Sequence, residues 1–353
     1  MTDLFSPYQL GRLQLANRLV MAPLTRSRAG IGEAPTELAA EYYAQRAGAG
    51  LIISEGTQPS AVGQGYPHTP GLHTDAQVAG WALVADAVHT RGGRIIAQLM
   101  HAGRISHRAN TGLDPVAPSC VTPAGSIYTE QGMKPFEAPR ALETEELPGV
   151  IAEYVDAARR AIQAGLDGVE LHAANGYLLH QFLADGSNKR TDGYGGSPRK
   201  RARFVVEVAS AVAGAIGAER VGIRISPAGI LNDISETETE QTYVTLLDGL
   251  NQLGLLYLHV LEGPDTEFHQ QLCSQWQGTV IFNTGFTGPS GLATAQDSID
   301  SGEADLFCIG RGFLANPDLV ERLRIGAELN EPDRETFYSG GAKGYTDYPL
   351  LSA

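Results

Sequence analysis

Several features that decide function in other proteins are scarce in this sequence. Its 353 residues include three cysteines and two tryptophans, and 26 Lys and Arg stand against 40 Asp and Glu, a formal charge of −14. Cys120, Cys273 and Cys308 form no CxxC pair, so we expect free thiols in a reducing cytoplasm. The acidic balance argues against binding to nucleic acid or to an anionic membrane, both of which require clustered positive charge.

Long hydrophobic segments are also missing. No apolar run approaches the roughly 18 residues that cross a bilayer. The N-terminus lacks the basic start, apolar run and cleavage site of a signal peptide. Hydrophobic residues nevertheless make up 42% of the chain, which is ample for a large core. We therefore expect a cytoplasmic protein with no membrane partner.

Short apolar runs alternate along the chain with longer amphipathic stretches. The runs that we interpret as strands are Arg18–Ala22, Leu51–Ser54, Arg94–Leu99, Gly168–Leu171, Val221–Ile225, Leu255–Val260, Thr279–Phe282 and Leu306–Ile309. Helices are predicted near 35–47, 75–91, 144–164, 198–216, 236–252, 266–275, 289–300 and 316–325. Eight strand–helix pairs predict an α/β fold, a single (β/α)8 TIM barrel. A doubly wound open sheet is the alternative.

The barrel is expected to occupy residues 1–353 as one domain, with a long insertion at about 101–143 after the third strand. Active sites of such barrels lie at the carboxyl ends of the strands, and phosphate commonly binds after strands seven and eight. The loops in question are NTGF (283–286) and GRGF (310–313). Glycine lets backbone N–H groups approach an anion, and Arg311 can bind two oxygens, although tight helix-capping turns remain the alternative.

The fourth strand is followed by three candidate catalytic residues. His172 and Asn175 are three apart, so a helical turn would place them on one face, where both can donate to one acceptor oxygen. Tyr177 carries a transferable proton. Two donors and a phenol suit a substrate with a carbonyl or nitro oxygen. The alternative is a structural histidine and a tyrosine that only lines a wall.

Other chemistries have little support. No HxH or HExxH motif is present and no carboxylate follows strand four beside His172, so we expect no metal site. No GxGxxG follows a strand, which argues against a Rossmann NAD site.

Long motifs nevertheless resemble those of the Old Yellow Enzyme family, in particular its bacterial ene-reductases of the N-ethylmaleimide reductase type. They are LFSP (4–7), NRLVMAPLTRSR (17–28), EYYAQRAGAGLIISEGT (41–57), PGLHTDAQVAGW (70–81), QLMHAGRISH (98–107), NGYLLHQFL (175–183), SNKRTDGYGGS (187–197), GRGFLANPDLV (310–320) and FYSGGAKGYTDYP (337–349). The resemblance implies an FMN-containing barrel with a short N-terminal hairpin at its base. It also implies that NADPH or NADH reduces the flavin, which passes hydride to an activated alkene.

The resemblance also assigns roles to individual residues. The cofactor-binding residues would be Pro23, Leu24, Thr25, Gly56, Gln98, Arg224, Thr284, Gly285, Gly310 and Arg311. Of these, Arg224 would stabilise the reduced, anionic flavin, while the last four would hold its phosphate. His172 and Asn175 would bind the activating oxygen of the substrate, and Tyr177 would donate the proton. Tyr66, Met100 and Tyr338 would shape the substrate pocket.

The sequence departs from the family pattern at three of these positions. The donor pair is His–Asn where many bacterial relatives have His–His, Met100 stands where nitroester-reducing relatives often have Trp, and Gly56 replaces a more usual Ala. We expect a wider and more adaptable pocket.

We predict a flavin-dependent ene-reductase, monomer or homodimer, acting on enones, maleimides and nitroalkenes. A reductase mainly of nitrate esters or nitroaromatics at the same site is the alternative. A cofactor-free barrel aldolase or isomerase and a non-enzymatic flavin-binding protein are more distant ones.

Overall fold

Eight parallel strands close into a barrel in the computed structural model, which describes residues 3–285 and 291–351. Its strands are β1 (Tyr8–Leu10), β2 (Leu13–Leu15), β3 (Leu19–Met21), β4 (Leu51–Thr57), β5 (Ile95–Leu99), β6 (Val116–Ala117), β7 (Ser126–Thr129), β8 (Gly132–Pro135), β9 (Arg140–Ala141), β10 (Gly168–Ala173), β11 (Val221–Ile225), β12 (Tyr257–Leu261), β13 (Thr279–Asn283) and β14 (Leu306–Ile309). The order around the barrel is β3-β4-β5-β10-β11-β12-β13-β14, and β14 pairs with β3. The predicted closed barrel is confirmed, and the open sheet is excluded.

Helices follow the barrel strands and pack outside them. Those in the described residues are α1 (Glu37–Gln45), α2 (Asp75–Thr90), α3 (Arg108–Thr111), α4 (Leu147–Gln163), α5 (Leu178–Leu183), α6 (Pro198–Ile216), α7 (Thr239–Asn251), α8 (Thr266–Gln275), α9 (Leu292–Asp300), α10 (Arg311–Ala315) and α11 (Leu319–Ile325). The helix predicted near 316–325 begins only at Leu319, because Pro317 holds Asn316 in an extended conformation. The first residues of the helix predicted near 289–300 lie outside the described residues.

Two hydrophobic cores hold the barrel together. The larger one lies between the strands and the surrounding helices. The smaller one fills the amino-terminal half of the lumen, where Val20, Ile96 and Ile281 pack against leucines of the β1–β2 hairpin. The hairpin therefore closes the base of the barrel by burying apolar side chains. None of the described helices is both long and apolar enough to cross a membrane.

The predicted insertion between β5 and α4 carries α3 and strands β6 to β9. Arg104, almost fully buried, ties its start to the loop after β11, because its Nη2 donates to the carbonyls of Asp233 (2.6 Å) and Asn232 (3.2 Å). The insertion is thus fixed against the carboxyl ends of the strands. The assignment of residues 1–353 to one domain stays a prediction.

A buried carboxylate positions the loop after β3. Glu55 lies at a bulge between β4 and β5, and its Oε2 accepts the backbone N–H of Arg26 at 3.0 Å. Burial raises the pKa of Glu55 to about 7, although hydrogen bonds and the charge of Arg26 oppose the rise. Between its ordinary value and this one, the folded chain holds the proton more tightly than the unfolded chain. Stability therefore falls as pH rises through that window.

We predict that Glu55→Gln removes this pH dependence, since the amide keeps an acceptor oxygen without the charge. Wild-type protein should lose about 2–3 kcal/mol of unfolding free energy between pH 5 and pH 8 that the variant keeps. Urea unfolding of both proteins at the two pH values measures the difference. Glu321→Gln, at an exposed carboxylate, is the control. Equal pH dependence in wild type and Glu55→Gln would contradict the assignment.

The hairpin core gives a second prediction. Leu15→Ala should destabilise the protein by about 2–5 kcal/mol, because Leu15 is fully buried in the lumen core. The matched control is Leu83→Ala, whose side chain is 52% exposed and which should change stability by about 0.5 kcal/mol or less. Denaturant unfolding at one pH compares the two. A Leu15→Ala loss no larger than that of the control would show that the hairpin does not stabilise the barrel.

Candidate active site

The candidate site lies at the carboxyl ends of the barrel strands. Strand register places His172 of β10 beside Arg224 of β11, and Gly56 of β4 beside Gln98 of β5. Leu24 lies next to Gly310, since a methyl group added to Gly310 would be 3.6 Å from Cδ2 of Leu24. The structure thus brings together several residues that lie far apart in the sequence.

His172 lies one residue before the end of β10, in register with Arg224 of β11. It is 3% exposed, and its Nδ1 has no hydrogen-bond partner in the described part of the chain. Burial lowers the pKa of His172 well below the ordinary value, and the charge of Arg224 adds to this effect. A neutral imidazole with an unpaired nitrogen is suited to binding an uncharged polar ligand.

Asn175 reaches the site through a strained turn rather than a helical one. Its φ of +56° is left-handed, so the helical turn expected between His172 and Asn175 is wrong. Ser226 Oγ accepts the backbone N–H of Asn175 at 2.9 Å, and Asn232 Nδ2 donates to its carbonyl at 2.7 Å. These bonds hold the turn, and the buried Oδ1 of Asn175 keeps no partner among the described residues.

A second layer of residues, which the sequence analysis missed, supports this turn. His180 Nδ1 accepts the backbone N–H of Gly176 at 3.1 Å, so its Nε2 carries the hydrogen and donates to Oε1 of Glu236 at 3.2 Å. The other oxygen of Glu236 accepts the N–H of Ala228 at 2.9 Å. The loops after β10 and β11 are therefore joined by one buried hydrogen-bond network. His180 and Glu236 are 56 residues apart in the sequence, so no local sequence pattern predicts their contact.

Tyr177 and Tyr66 meet at the mouth of the site. Their hydroxyl oxygens are 3.2 Å apart, and the ring of Tyr177 lies 5.1 Å from that of His172. Burial raises the pKa of Tyr177 and raises that of Tyr66 further. Both phenols therefore stay protonated near neutral pH. Tyr338 is 63% exposed, so it stands at the edge of this pocket rather than deep within it.

The segment that carries Tyr338 is held by arginines of the first βα unit. Arg26 Nη2 donates to the carbonyl of Gly344 at 2.8 Å, and Arg28 Nη2 donates to that of Ser339 at 2.6 Å. The ring of Tyr345 stacks against Tyr42 at 4.0 Å, with the Arg26 guanidinium 5.0 Å from its centre. Cations between aromatic rings and carbonyls thus fix the C-terminal segment over the barrel mouth.

Two departures from the family pattern turn out to be one packing change. Met100 is buried, and a methyl group on Gly56 would lie 2.6 Å from its Sδ. Gly56 therefore makes the space that Met100 occupies. Pro23, Leu24 and Thr25 line the same rim, half-buried, directly after β3.

Below the mouth, inward-facing polar side chains form a network that the sequence analysis did not identify. Gln98 Nε2 donates to Oε1 of Glu170 at 2.8 Å, and Oε2 of Glu170 lies 2.8 Å from His259 Nδ1. Asn283 Nδ2 lies 3.5 Å from His259 Nε2. The sequence does contain a signal for this network. Side chains two residues apart on a strand point to the same face, so Glu170 shares the inward face of β10 with His172.

The residues expected to bind the flavin can be tested against their surroundings. Arg224 is 5% exposed, yet its Nε has no partner in the residues that the structure describes. A buried guanidinium without a hydrogen-bond partner is costly, so a ligand with acceptor atoms fits here. Arg311 is exposed at the start of α10 and forms no hydrogen bond or ion pair within 3–285 and 291–351.

Thr284 is buried and Gly285 has a φ of +76°, with its N–H donated to Asn283 Oδ1. Phe286, the last residue of NTGF, lies outside the described residues. In those residues, no group of three or more His, Cys, Asp or Glu side chains could hold a metal ion. The unpaired cations and glycine loops therefore fit a flavin mononucleotide, whose pyrimidine ring and phosphate both present acceptor oxygens.

Comparisons with known proteins agree with this geometry. The sequence matches the model of the "NADH:flavin oxidoreductase / NADH oxidase family" over residues 3–330. It is 42% identical to 12-oxophytodienoate reductase 7 of Oryza sativa subsp. japonica, covering 99% of this chain and 94% of that protein. It is 41% identical to a probable flavin mononucleotide-dependent alkene reductase of Leishmania infantum, covering 99% and 97%.

The fold agrees as well. The structure of morphinone reductase in complex with tetrahydroNAD superposes with a TM-score of 0.95 at 48% identity, covering 100% of this chain and 98% of that one. With its barrel, its unpaired rim cations and these relatives, the chain belongs to the Old Yellow Enzyme family of FMN-dependent oxidoreductases.

Proposed function

We propose that this protein is an ene-reductase that uses NADPH or NADH to reduce the C=C bond of enones, maleimides and nitroalkenes. The observation that carries the proposal is the buried, unpartnered Nδ1 of His172 next to Asn175, whose side chain makes no hydrogen bond in the described residues, with the protonated Tyr177 beside them. The Nδ2 group of Asn175 is the part of its amide that can donate. Two donors and one acid at a single rim are the groups that an activated alkene requires.

The cofactor-binding residues surround this rim. Arg224 and Gln98 would hold the pyrimidine edge of FMN, Pro23, Leu24 and Thr25 its ring, and Arg311 with the glycine loops its phosphate. When bound, FMN supplies hydride transfer, taking a hydride from the nicotinamide and giving one to the β-carbon of the alkene. The morphinone reductase complex with tetrahydroNAD supports a nicotinamide reductant.

Side chains of the protein itself orient the substrate and supply the proton. The low pKa of His172 keeps its ring neutral, and a neutral ring donates through its one N–H, while Asn175 donates through the Nδ2 of its amide. Both bonds strengthen as negative charge develops on the substrate oxygen. If the hydroxyl of Tyr66 donates to Tyr177, the hydrogen of Tyr177 is left to reach the α-carbon, and Tyr66 stabilises the phenolate that remains.

The alternative substrates are nitrate esters and nitroaromatics. They present the same kind of acceptor oxygens to His172 and Asn175. Met100, which is flexible and lies beside Gly56, would give the predicted substrate pocket an adaptable wall that admits an aromatic ring.

Absorption spectroscopy tests the cofactor, and a substrate screen tests the reaction. The purified protein should be yellow and bind FMN, and oxidation of NADPH or NADH should be coupled to loss of enone, maleimide or nitroalkene. Protein that is colourless after FMN has been added and the unbound FMN removed would overturn the proposal. Turnover of nitrate esters alone would replace the alkene assignment with the alternative.

Arg311→Ala should weaken FMN binding about ten- to a hundredfold, since a bidentate charged contact contributes roughly 1.5–3 kcal/mol. Equilibrium dialysis of apoprotein with FMN gives the dissociation constants. Arg324→Ala removes an exposed arginine paired to Glu321 and should leave affinity unchanged. Unchanged affinity in Arg311→Ala would place the phosphate elsewhere.

Tyr177→Phe should slow the reduction of cyclohexenone about 10²–10⁴-fold, because it removes the proton donor but keeps the ring. Reduction of the enzyme by NADPH should proceed normally. Nitroalkenes should lose much less activity, since their stabilised anion can be protonated later by water. Stopped-flow traces of the two half-reactions separate these steps. Normal cyclohexenone turnover in the variant would assign the proton to another group.

A further inference from the structure

The polar layer of the lumen contains a carboxylate to which the proposed function gives no role. Glu170 is fully buried in the middle of β10. Its Oε1 accepts from Gln98 Nε2 at 2.8 Å, and its Oε2 accepts from the hydroxyl of Tyr257 at 3.1 Å and from His259 Nδ1 at 2.8 Å. Three donors directed at two oxygens are typical of an ionised carboxylate.

The neighbouring histidine does not neutralise this charge. Asn283 Nδ2 faces His259 Nε2 at 3.5 Å, and an amide nitrogen only donates, so the ring hydrogen sits on Nδ1 and points to Glu170. Burial lowers the pKa of His259, which favours the neutral ring. Burial opposes ionisation of Glu170, but the interaction with His259, the charge of Arg224 and the hydrogen bond from Gln98 together outweigh burial and lower the pKa of the carboxyl.

The opposite charge comes from Arg224. Register pairs Arg224 with His172, two residues beyond Glu170 on the same inward face, so the guanidinium lies nearer the mouth than the carboxylate. No hydrogen bond joins the two side chains, and Arg224 Nε is unpartnered among the described residues. Glu170 therefore acts on Arg224 through charge, while the guanidinium stays available to a ligand.

The space for this arrangement is built into the barrel. A side chain at Gly222 would overlap the ring of Tyr257, so glycine there lets the tyrosine cross the lumen and donate to Glu170. Gln98 Nε2 is bound to the same carboxylate, and the amide oxygen of Gln98 makes no hydrogen bond with the described residues, so it is available to a ligand. One buried acid thus orients one cofactor-binding side chain and offsets the charge of the other.

We propose that Glu170 is a positioning residue that sets the reduction potential of the bound flavin, an inference that rests on the proposed FMN site. Reduction adds two electrons and one proton to the flavin, so the reduced flavin carries one negative charge. Arg224 attracts that charge and Glu170 repels it. Glu170 therefore keeps the reduced cofactor a stronger hydride donor than Arg224 alone would allow.

Glu170→Gln tests the proposal, because it keeps the shape and an acceptor oxygen for Gln98 but removes the charge. The FMN-loaded variant is equilibrated anaerobically with a reference dye, whose reduced form donates the electrons. The ratio of reduced to oxidised flavin at a fixed dye ratio should rise about tenfold over wild type, a shift of about 30 mV for a two-electron couple. Tyr257→Phe, which removes a donor but keeps the charge, should shift the ratio less.

A folded, FMN-bound Glu170→Gln variant with the wild-type ratio would overturn the inference but leave the proposed function intact. Failure of wild-type protein to bind FMN would overturn the proposed function itself. If Glu170→Gln does not fold, Arg224→Gln is compared with Arg224→Gln/Glu170→Gln, which buries no unpaired charge. The double variant should have the higher ratio of reduced flavin, and equal ratios would again refute the role of Glu170.

Discussion

A charge inside a closed barrel must be paired or must face a ligand, because burying it alone costs several kcal/mol. This constraint organises the upper lumen. Glu170 has three donors, His259 is held neutral, and Arg224 is left with an unpartnered nitrogen close to the mouth. The carboxylate is satisfied by protein donors, whereas the guanidinium keeps a nitrogen without a partner among the described residues. Under the proposed function, a cofactor with acceptor oxygens would supply that partner.

The same lumen is apolar at its other end. The hairpin leucines and the inward residues near the strand starts form one core, so the polar layer rests on an apolar base. An apolar base matters for chemistry, since it lowers the effective dielectric around the charges above it. The apolar end of the barrel therefore stabilises the fold, whereas the polar end carries the candidate site.

The loops around the mouth are fixed by buried polar contacts rather than by length or composition. Glu55 holds the loop after β3, Glu236 and His180 hold the turn that presents Asn175, and Arg26 and Arg28 hold the segment that carries Tyr338. Apart from the bond between the His180 and Glu236 side chains, each of these contacts joins backbone to a buried side chain. The turn that presents Asn175 is preorganised in this way, so under the proposed function it would need little reorganisation when a substrate binds.

The sequence alone determined the eight strand–helix pairs, since alternation and periodicity are local, and its long motifs identified the family. It also predicted His172, Asn175 and Tyr177 as site residues, because they lie together at the end of one strand. Only the tertiary structure decided how these groups are held. The left-handed turn at Asn175, the single space shared by Gly56 and Met100, and the contacts of Glu170 with β5 and β12 each join residues from separate strands and loops. Contacts across a closed barrel leave no local pattern, because the residues that meet there are brought together by strand register rather than by proximity along the chain.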